Sequence, residues 1–284
     1  ARFGSARTRG PPMGLFRECA AAGLGGAIAD GLFNPLSVLQ SRAQLQPAAR
    51  LTTLVKDAYA KDGIMRGLLL PGLPAICLRA LTYSGFRVGC YPAVRDSLPG
   101  NGFATKLSAG CLTGAMGAAI FAPFELVRIR MVSGSPYANT FLALKSVFHE
   151  EGICRAWQGA GAYAARCAIY GGTQLATYET AKEQLNIFIF EEEGPTTHFL
   201  ASFASGLCAA FVSQPVDTLK THMMNTRGSS RGMLETCTRL VAEYGISGLY
   251  KGLVPNLACK GPMAVVFMPI VEQLRYRVFG LEYI

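Results

Sequence analysis

Charge is what this sequence has least of. Asp, Glu, Lys and Arg make up 16% of its 284 residues, against about 25% in an ordinary soluble domain. Tryptophan occurs once and histidine three times. Nine cysteines stand singly at Cys19, Cys77, Cys90, Cys111, Cys154, Cys167, Cys208, Cys237 and Cys259, with no C-x-x-C pair. That scatter and odd count speak against a zinc site or a disulfide framework, and the thiols read as small buried hydrophobes. No phosphate-cradling glycine loop is present. One G-x-S-x-G string, Gly228 to Gly232, sits in a polar loop with only His149, His198 and His222 available as a base. A nucleophile elbow needs a strand before it and a histidine partner, so the chain reads as no enzyme, with no cofactor and no metal. What is abundant is apolar: half the residues, with 32 glycines and a net charge of +9. The basic loops lack interleaved aromatics, which excludes nucleic acid and leaves an anionic substrate or anionic lipid as the partner.

Three segments share one layout. Pro35, Pro123 and Pro215 lie 88 and 92 residues apart, each after a glycine-bearing apolar run. They open Pro35-Leu36-Ser37-Val38-Leu39-Gln40, Pro123-Phe124-Glu125-Leu126-Val127-Arg128 and Pro215-Val216-Asp217-Thr218-Leu219-Lys220. Arg79, Arg166 and Cys259 follow the prolines by 44, 43 and 44 residues. Twelve residues further stand Tyr91, Tyr178 and Val271, then Arg95, Lys182 and Arg275. Between the halves of each repeat sits a glycine turn at Asp62-Gly63, Glu151-Gly152 and Tyr244-Gly245. Such periodicity marks a repeat architecture. It divides the chain into a basic tail at 1–13, resembling the end of a transit-like segment, and repeats at 14–100, 101–192 and 193–284.

Each repeat holds two long apolar stretches, at 19–41 and 72–94, 103–127 and 159–181, and 196–219 and 253–275. About 20 residues span a bilayer core of about 30 Å, so the fold class is all-α membrane with six transmembrane helices. Gly110, Gly114 and Ala118 recur every four residues, a spacing that lets helix backbones approach closely. The three loops inside the repeats are each net basic, whereas the loop from Lys182 to His198 carries Glu183, Glu191, Glu192 and Glu193. The within-repeat loops are therefore expected on the negative-inside face.

With PFELVR, PVDTLK, EGICRAWQG, YGISGLYKG and YETAK in place, the chain resembles the mitochondrial carrier family over nearly its whole length. GLPAICLRALTYSGFRVGCYP, KGLVPNLACKGP and VEQLR are similar to uncoupling-protein and dicarboxylate or oxoglutarate carriers, and GGTQLATYE to oxaloacetate-type carriers. The resemblance implies six tilted helices around a pseudo-threefold cavity, short helices on the matrix side, and alternating access in the mitochondrial inner membrane. It also implies a matrix gate of acid–base pairs, drawn here from Glu125, Arg128, Asp217 and Lys220. A cytoplasmic-side gate would use Arg95, Glu179, Lys182, Glu272 and Arg275.

The first repeat departs from that pattern. Ser37 and Gln40 carry neither acid nor base, so Glu125 with Lys220 is the one expected matrix-side ion pair. Arg128 and Asp217 are expected to face Ser37 and Gln40 through hydrogen bonds. Tyr91-Pro92-Ala93-Val94-Arg95 lacks the acid of the other gate. The family's substrate contacts fall on Arg79, Arg166 and Cys259. Two arginines suit carboxylates, which a guanidinium bonds bidentately while staying charged. At Cys259 two readings stand: Lys260, turned about 100° on the helix, supplies the charge, or the charge is lost. Arg87, two turns after Arg79, adds positive potential. Asp30 either carries a coupled proton or pairs with a cavity arginine.

The expected function is a carrier, or antiporter, for a small carboxylate or related anion, binding Arg79, Arg87, Arg166, Lys260 and Asp30. The expected partners are that substrate and membrane lipid such as cardiolipin. The eroded first repeat carries the alternative of a transport-silent carrier fold serving as a structural subunit of a larger inner-membrane complex.

Overall fold

The computed structural model describes residues 12–100, 102–134, 139–188, 195–226 and 232–278. Among them there is no strand. The basic tail to residue 11 lies outside the described residues, as do 189–194 of the acidic loop.

Each repeat contributes a long helix, a short connecting helix and a second long helix. In repeat 1 these are α1 (Pro12–Leu32) with α2 (Asn34–Leu45), α3 (Leu51–Ile64) running into a π-turn at Met65–Leu69, and α4 (Leu73–Ser97). Repeat 2 has α5 (Phe103–Ile120) with α6 (Ala122–Val132), α7 (Thr140–Ser146), a π-turn at Val147–Glu151, α8 (Ile153–Ala156) and α9 (Ala160–Phe188). Repeat 3 has α10 (Pro195–Asn225), α11 (Met233–Leu249) and α12 (Leu253–Arg277). The long helices pack in a closed ring, α1 on α4, α4 on α5, α5 on α9, α9 on α10, α10 on α12 and α12 back on α1.

The prolines act unequally. The chain leaves helical geometry at Phe33 and Phe121, two residues before Pro35 and Pro123. Proline removes one backbone donor and crowds the preceding turn; the second break bends its helix pair by 64°. At Pro215 α10 runs on unbroken. There the residue two before proline is Ser213, whose hydroxyl bonds the Ala210 carbonyl at 3.4 Å. Of the stretches expected to span as single helices, 19–41 and 103–127 are thus each broken once.

Two sets of glycines carry the threefold plan. Gly63, Gly152 and Gly245 turn the connecting segments at φ of +69°, +88° and +69°. Gly72, Gly159 and Gly252 open α4, α9 and α12 at φ of +67°, +79° and +82°. A side chain is strained in that left-handed region. At the second set space is also short, because each repeat meets the next there. A Cβ on Gly72 would meet Val132 of α6, on Gly159 Met224 of α10, and on Gly252 the Gln40 carbonyl of α2. Repeat 1 seats on 2, 2 on 3 and 3 on 1.

Of the residues singled out by spacing, Gly110 faces open space, a Cβ on Gly114 would be in ordinary contact with Tyr83 and Cys167, and Ala118 is fully buried. The tighter approach is at Gly117, where a Cβ would come within 3.1 Å of Tyr83. On α1, a Cβ at Gly23 would lie 2.9 Å from the Leu81 carbonyl. Small residues do let these helices approach, but the seat is set by facing side chains rather than by a regular stripe.

By length and hydropathy alone, among the described residues one helix, Gly67–Ser97, is apolar enough to cross a membrane, and the bent pair Leu107–Ile120 with Ala122–Val132 passes together. Leu24, Ile28, Leu112, Met116, Phe211 and Val212 are exposed, as lipid-facing residues are.

Candidate functional site

Where the broken helices converge, the ring is closed by side chains from positions at fixed distances from the three prolines. Three tiers of contact lie there, and in each tier one repeat reaches the next.

The first tier joins the position about 44 residues after a proline to the position two after the next proline. Arg79 Nε lies 3.5 Å from Glu125 Oε2. Arg166 Nε lies 3.1 Å from Asp217 Oδ1. Cys259 Sγ lies 3.8 Å from Ser37 Oγ. Two of these contacts are ionic and one is neutral. Cys259 is 2% exposed, so it belongs to the packed floor.

The second tier joins the position two after a proline to the position five after the next. Lys220 Nζ donates to Glu125 Oε1 at 2.9 Å, and Gln40 Nε2 donates to Asp217 Oδ2 at 2.8 Å. The expected Arg128–Ser37 contact is absent among the described residues. Arg128 instead donates to Glu125 at 3.1 Å within its own helix and reaches Ser41 Oγ at 3.5 Å. An acid three residues back on the same helix face outcompetes a neutral hydroxyl for a guanidinium. The expected Glu125–Lys220 pair is present, inside a larger set of ions. Glu125, 3% exposed, holds Arg79, Arg128 and Lys220, and Lys220 also lies 3.2 Å from Asp217. The ions form one connected network, extended by Gln44 Nε2 donating to Asp217 at 2.9 Å. Lys220 also sits 4.9 Å over the Tyr163 ring.

The third tier was not anticipated. Arg42 Nε donates to the Val132 carbonyl at 3.2 Å, and Arg130 Nε to the Met224 carbonyl at 3.2 Å. His222 Nε2 lies 2.7 Å from the Gln44 carbonyl. Each donor is seven residues after its proline and each acceptor nine after the next. The equal offset was the available signal, hidden because the residues are Arg, Arg and His. Arg130 is fully buried and also grips Glu151 through both terminal nitrogens, which gives the Glu151-Gly152 turn its anchor. Asn34 and Gln214, each just before a proline, donate to the Leu69 and Lys251 carbonyls at 2.7 and 3.0 Å and fix the turns that open α4 and α12.

Asp30 accepts from Arg79 Nη2, the pairing alternative of its two readings. Arg79 Nε and Arg166 Nε are buried, and their contacts with Glu125 and Asp217 are ionic rather than well-aligned hydrogen bonds. Arg87 is exposed and Lys260 half-buried. Arg95 is half-buried. The side chains of Glu179, Lys182, Glu272 and Arg275, the rest of the second expected gate, lie outside the described residues. A cavity of about 520 Å³ opens where repeat 3 meets repeat 1, lined by Ala43, Arg50, Leu51, Tyr250, Lys251 and Gly252.

A ring of helices around an ionic floor, built three times over, is the architecture of a membrane solute carrier. Comparison with known proteins agrees. The family model described as mitochondrial carrier protein matches three times, at residues 11–102, 100–187 and 191–280. The chain is 31% identical over 270 residues to the mitochondrial substrate carrier family protein ucpB of Dictyostelium discoideum, covering 88% of this chain and 91% of that one. It is 32% identical over 272 residues to the mitochondrial dicarboxylate carrier of Caenorhabditis elegans, covering 91% and 92%. It is 28% identical over 275 residues to mitochondrial uncoupling protein 1 of Arabidopsis thaliana, covering 87% and 89%. The chain belongs to the mitochondrial carrier family, whose members are membrane transporters.

Proposed function

We propose that this carrier exchanges a small carboxylate or related anion across the mitochondrial inner membrane by alternating access. The observation that carries the reading is the pair of arginines on two different repeats, Arg79 and Arg166, each half-buried at the floor against a carboxylate of the next repeat. A carboxylate is the planar acceptor that such a fork takes bidentately. An arginine within a membrane-spanning helix is costly unless it is paired, serves a ligand or lines a wet cavity.

The mechanism follows from the network. Arg79 is held by Asp30 and Glu125, and Arg166 by Asp217. An anion arriving from the cavity competes with those carboxylates for the same guanidinium groups. It then weakens the links of repeat 1 to repeat 2 and of repeat 2 to repeat 3, the links that keep the floor shut. Only contacts that differ between two states shift their balance, and these contacts do. Arg87 and Lys260 add positive potential further along the cavity, and Arg95, Glu179, Lys182, Glu272 and Arg275 form the opposite gate. The cavity between Arg50 and Lys251 suits the phosphate of an anionic lipid such as cardiolipin.

The test is uptake by liposomes holding the purified protein, against labelled dicarboxylates, keto acids and phosphate. Uptake of at least one, lost in Arg166→Gln with the fold retained, supports the reading. Silence across the panel in a folded wild-type protein overturns it and favours the structural-subunit alternative.

A further inference from the structure

We propose that Ser37 and Cys259 are one specificity-determining unit. They are the neutral member of the ring that Arg79–Glu125 and Arg166–Asp217 complete, and they set the floor to take a dianion rather than a trianion. The proposal rests on the anion-carrier reading.

The three contacts are geometrically equivalent. Each joins an even helix of one repeat to the position two residues after the proline of the next, and the third spans 222 residues of sequence. Taken along the chain, Cys259 is an arginine lost from repeat 3 and Ser37 an acid lost from repeat 1. In space they are the two ends of one contact, and both ends are neutral. An arginine alone at position 259 would be buried with no acid two residues after Pro35 to meet it. Removing one partner of a buried pair costs more than removing both, so the two neutral residues belong together.

The consequence for substrate is a count of charges. Two guanidinium groups face the floor from repeats 1 and 2, and the third sector offers a thiol and a hydroxyl. Two carboxylates at opposite ends of a small molecule satisfy the first two sectors, and an uncharged edge meets the third. A third carboxylate would be desolvated beside the hydroxyl of Ser37 and the thiol of Cys259, neither of which neutralises it, and a buried unpaired charge is strongly disfavoured.

The experiment has two arms on the full-length protein. The first reads thermal unfolding midpoints in detergent for wild type, Ser37→Asp, Cys259→Arg and the double variant, which needs no transport. The expected result is a lowered midpoint for Cys259→Arg, with at most half that loss when Asp stands at position 37. An equal loss in both backgrounds, or no loss in Cys259→Arg, overturns the pairing. The second arm reads uptake of labelled succinate and its inhibition by citrate. Wild type is expected to need at least about ten times more citrate than succinate for half-inhibition, and the double variant to narrow that ratio. Equal inhibition by both in wild type overturns the substrate half. No succinate uptake overturns the substrate half, silence across the wider panel of dicarboxylates, keto acids and phosphate overturns the anion-carrier reading, and the midpoints still decide the pairing.

Discussion

The seams of repeat 1 with repeat 2 and of repeat 2 with repeat 3 are closed by ions, whereas repeat 3 meets repeat 1 through neutral donors. Glu125 and Asp217 organise the first two, with Arg79, Arg128, Arg166 and Lys220 around them. At the third, Ser37 meets Cys259, Gln40 and Gln44 reach Asp217, and His222 holds the Gln44 carbonyl. The same backbone geometry is thus served by two chemistries. Position relative to the proline decides where a side chain reaches, and residue type decides how firmly it holds. The ring is closed at the uncharged first repeat because Gln40 and Gln44 are long enough to reach Asp217.

The largest effect should come from the hub of the ionic seams. Glu125→Gln leaves Arg79, Arg128 and Lys220 around a neutral amide, and breaking a buried ionic contact costs about 3–5 kcal/mol. Thermal unfolding in detergent should show a large drop, or the folded protein should fail to accumulate. A midpoint within a degree or two of wild type would sink the account of Glu125 as the hub.

The next contrast uses backbone contact. Gly252→Ala would place a Cβ 2.9 Å from the Gln40 carbonyl, whereas Gly72→Ala meets Val132 Cγ2 at 3.3 Å. Both pay left-handed strain of about 1–2 kcal/mol, and overpacking adds about 1–3 kcal/mol, more where the neighbour is rigid backbone. Gly252→Ala should therefore be the less stable of the two by the same measurement. Gly245→Ala, with nothing within 4 Å, should show the strain alone. Equal losses in all three would mean that the seats between repeats are not tight.

At the neutral seam, Gln44→Leu removes the donor to Asp217 and the acceptor of Thr221. The loss should be about 1–3 kcal/mol, the cost of stranding a buried polar partner, and smaller than that of Glu125→Gln. The reverse order would invert the comparison. Smallest of all is the exposed Arg239–Glu243 pair on α11, with side chains 59% and 45% exposed. Glu243→Gln should change stability by under about 1 kcal/mol, and less in high salt.

How much of this was legible in sequence depended on whether a relation ran along the chain or across it. Offsets from Pro35, Pro123 and Pro215 located the repeats and the six long helices, because periodicity is a property of the chain, and the Glu125–Lys220 contact followed from the family resemblance. Arg128 turning to Glu125 and Ser41 was not legible, since competition between acceptors needs their positions in space. Ser37 and Cys259 looked like two separate departures because they stand at opposite ends of the sequence. Arg42, Arg130 and His222 share an offset but not a chemistry, so a search by residue type passed over them. The unbroken α10 was hidden for a related reason: Pro215 looks like Pro35 and Pro123 until Ser213 is compared with Phe33 and Phe121.

The neutral third seam bears on how the molecule is made. A linear chain that closes into a ring has one junction whose partners come from its two ends; here Ser37 waits for Cys259, and Gln44 for His222, 222 and 178 residues apart. The ordering cost of closing a loop grows with its length, so this junction is the one expected to form last. While it waits, repeat 1 exposes amides, a hydroxyl and backbone to the unfinished side, and Glu125 already has Arg79 and Arg128 from the chain before and beside it. Deferring closure to uncharged groups spares the nascent bundle an orphaned ion in the bilayer. A chain permuted to start at residue 102, with its old ends joined, would reverse that order. It would have to hold Arg79 and Glu125 apart until the final step.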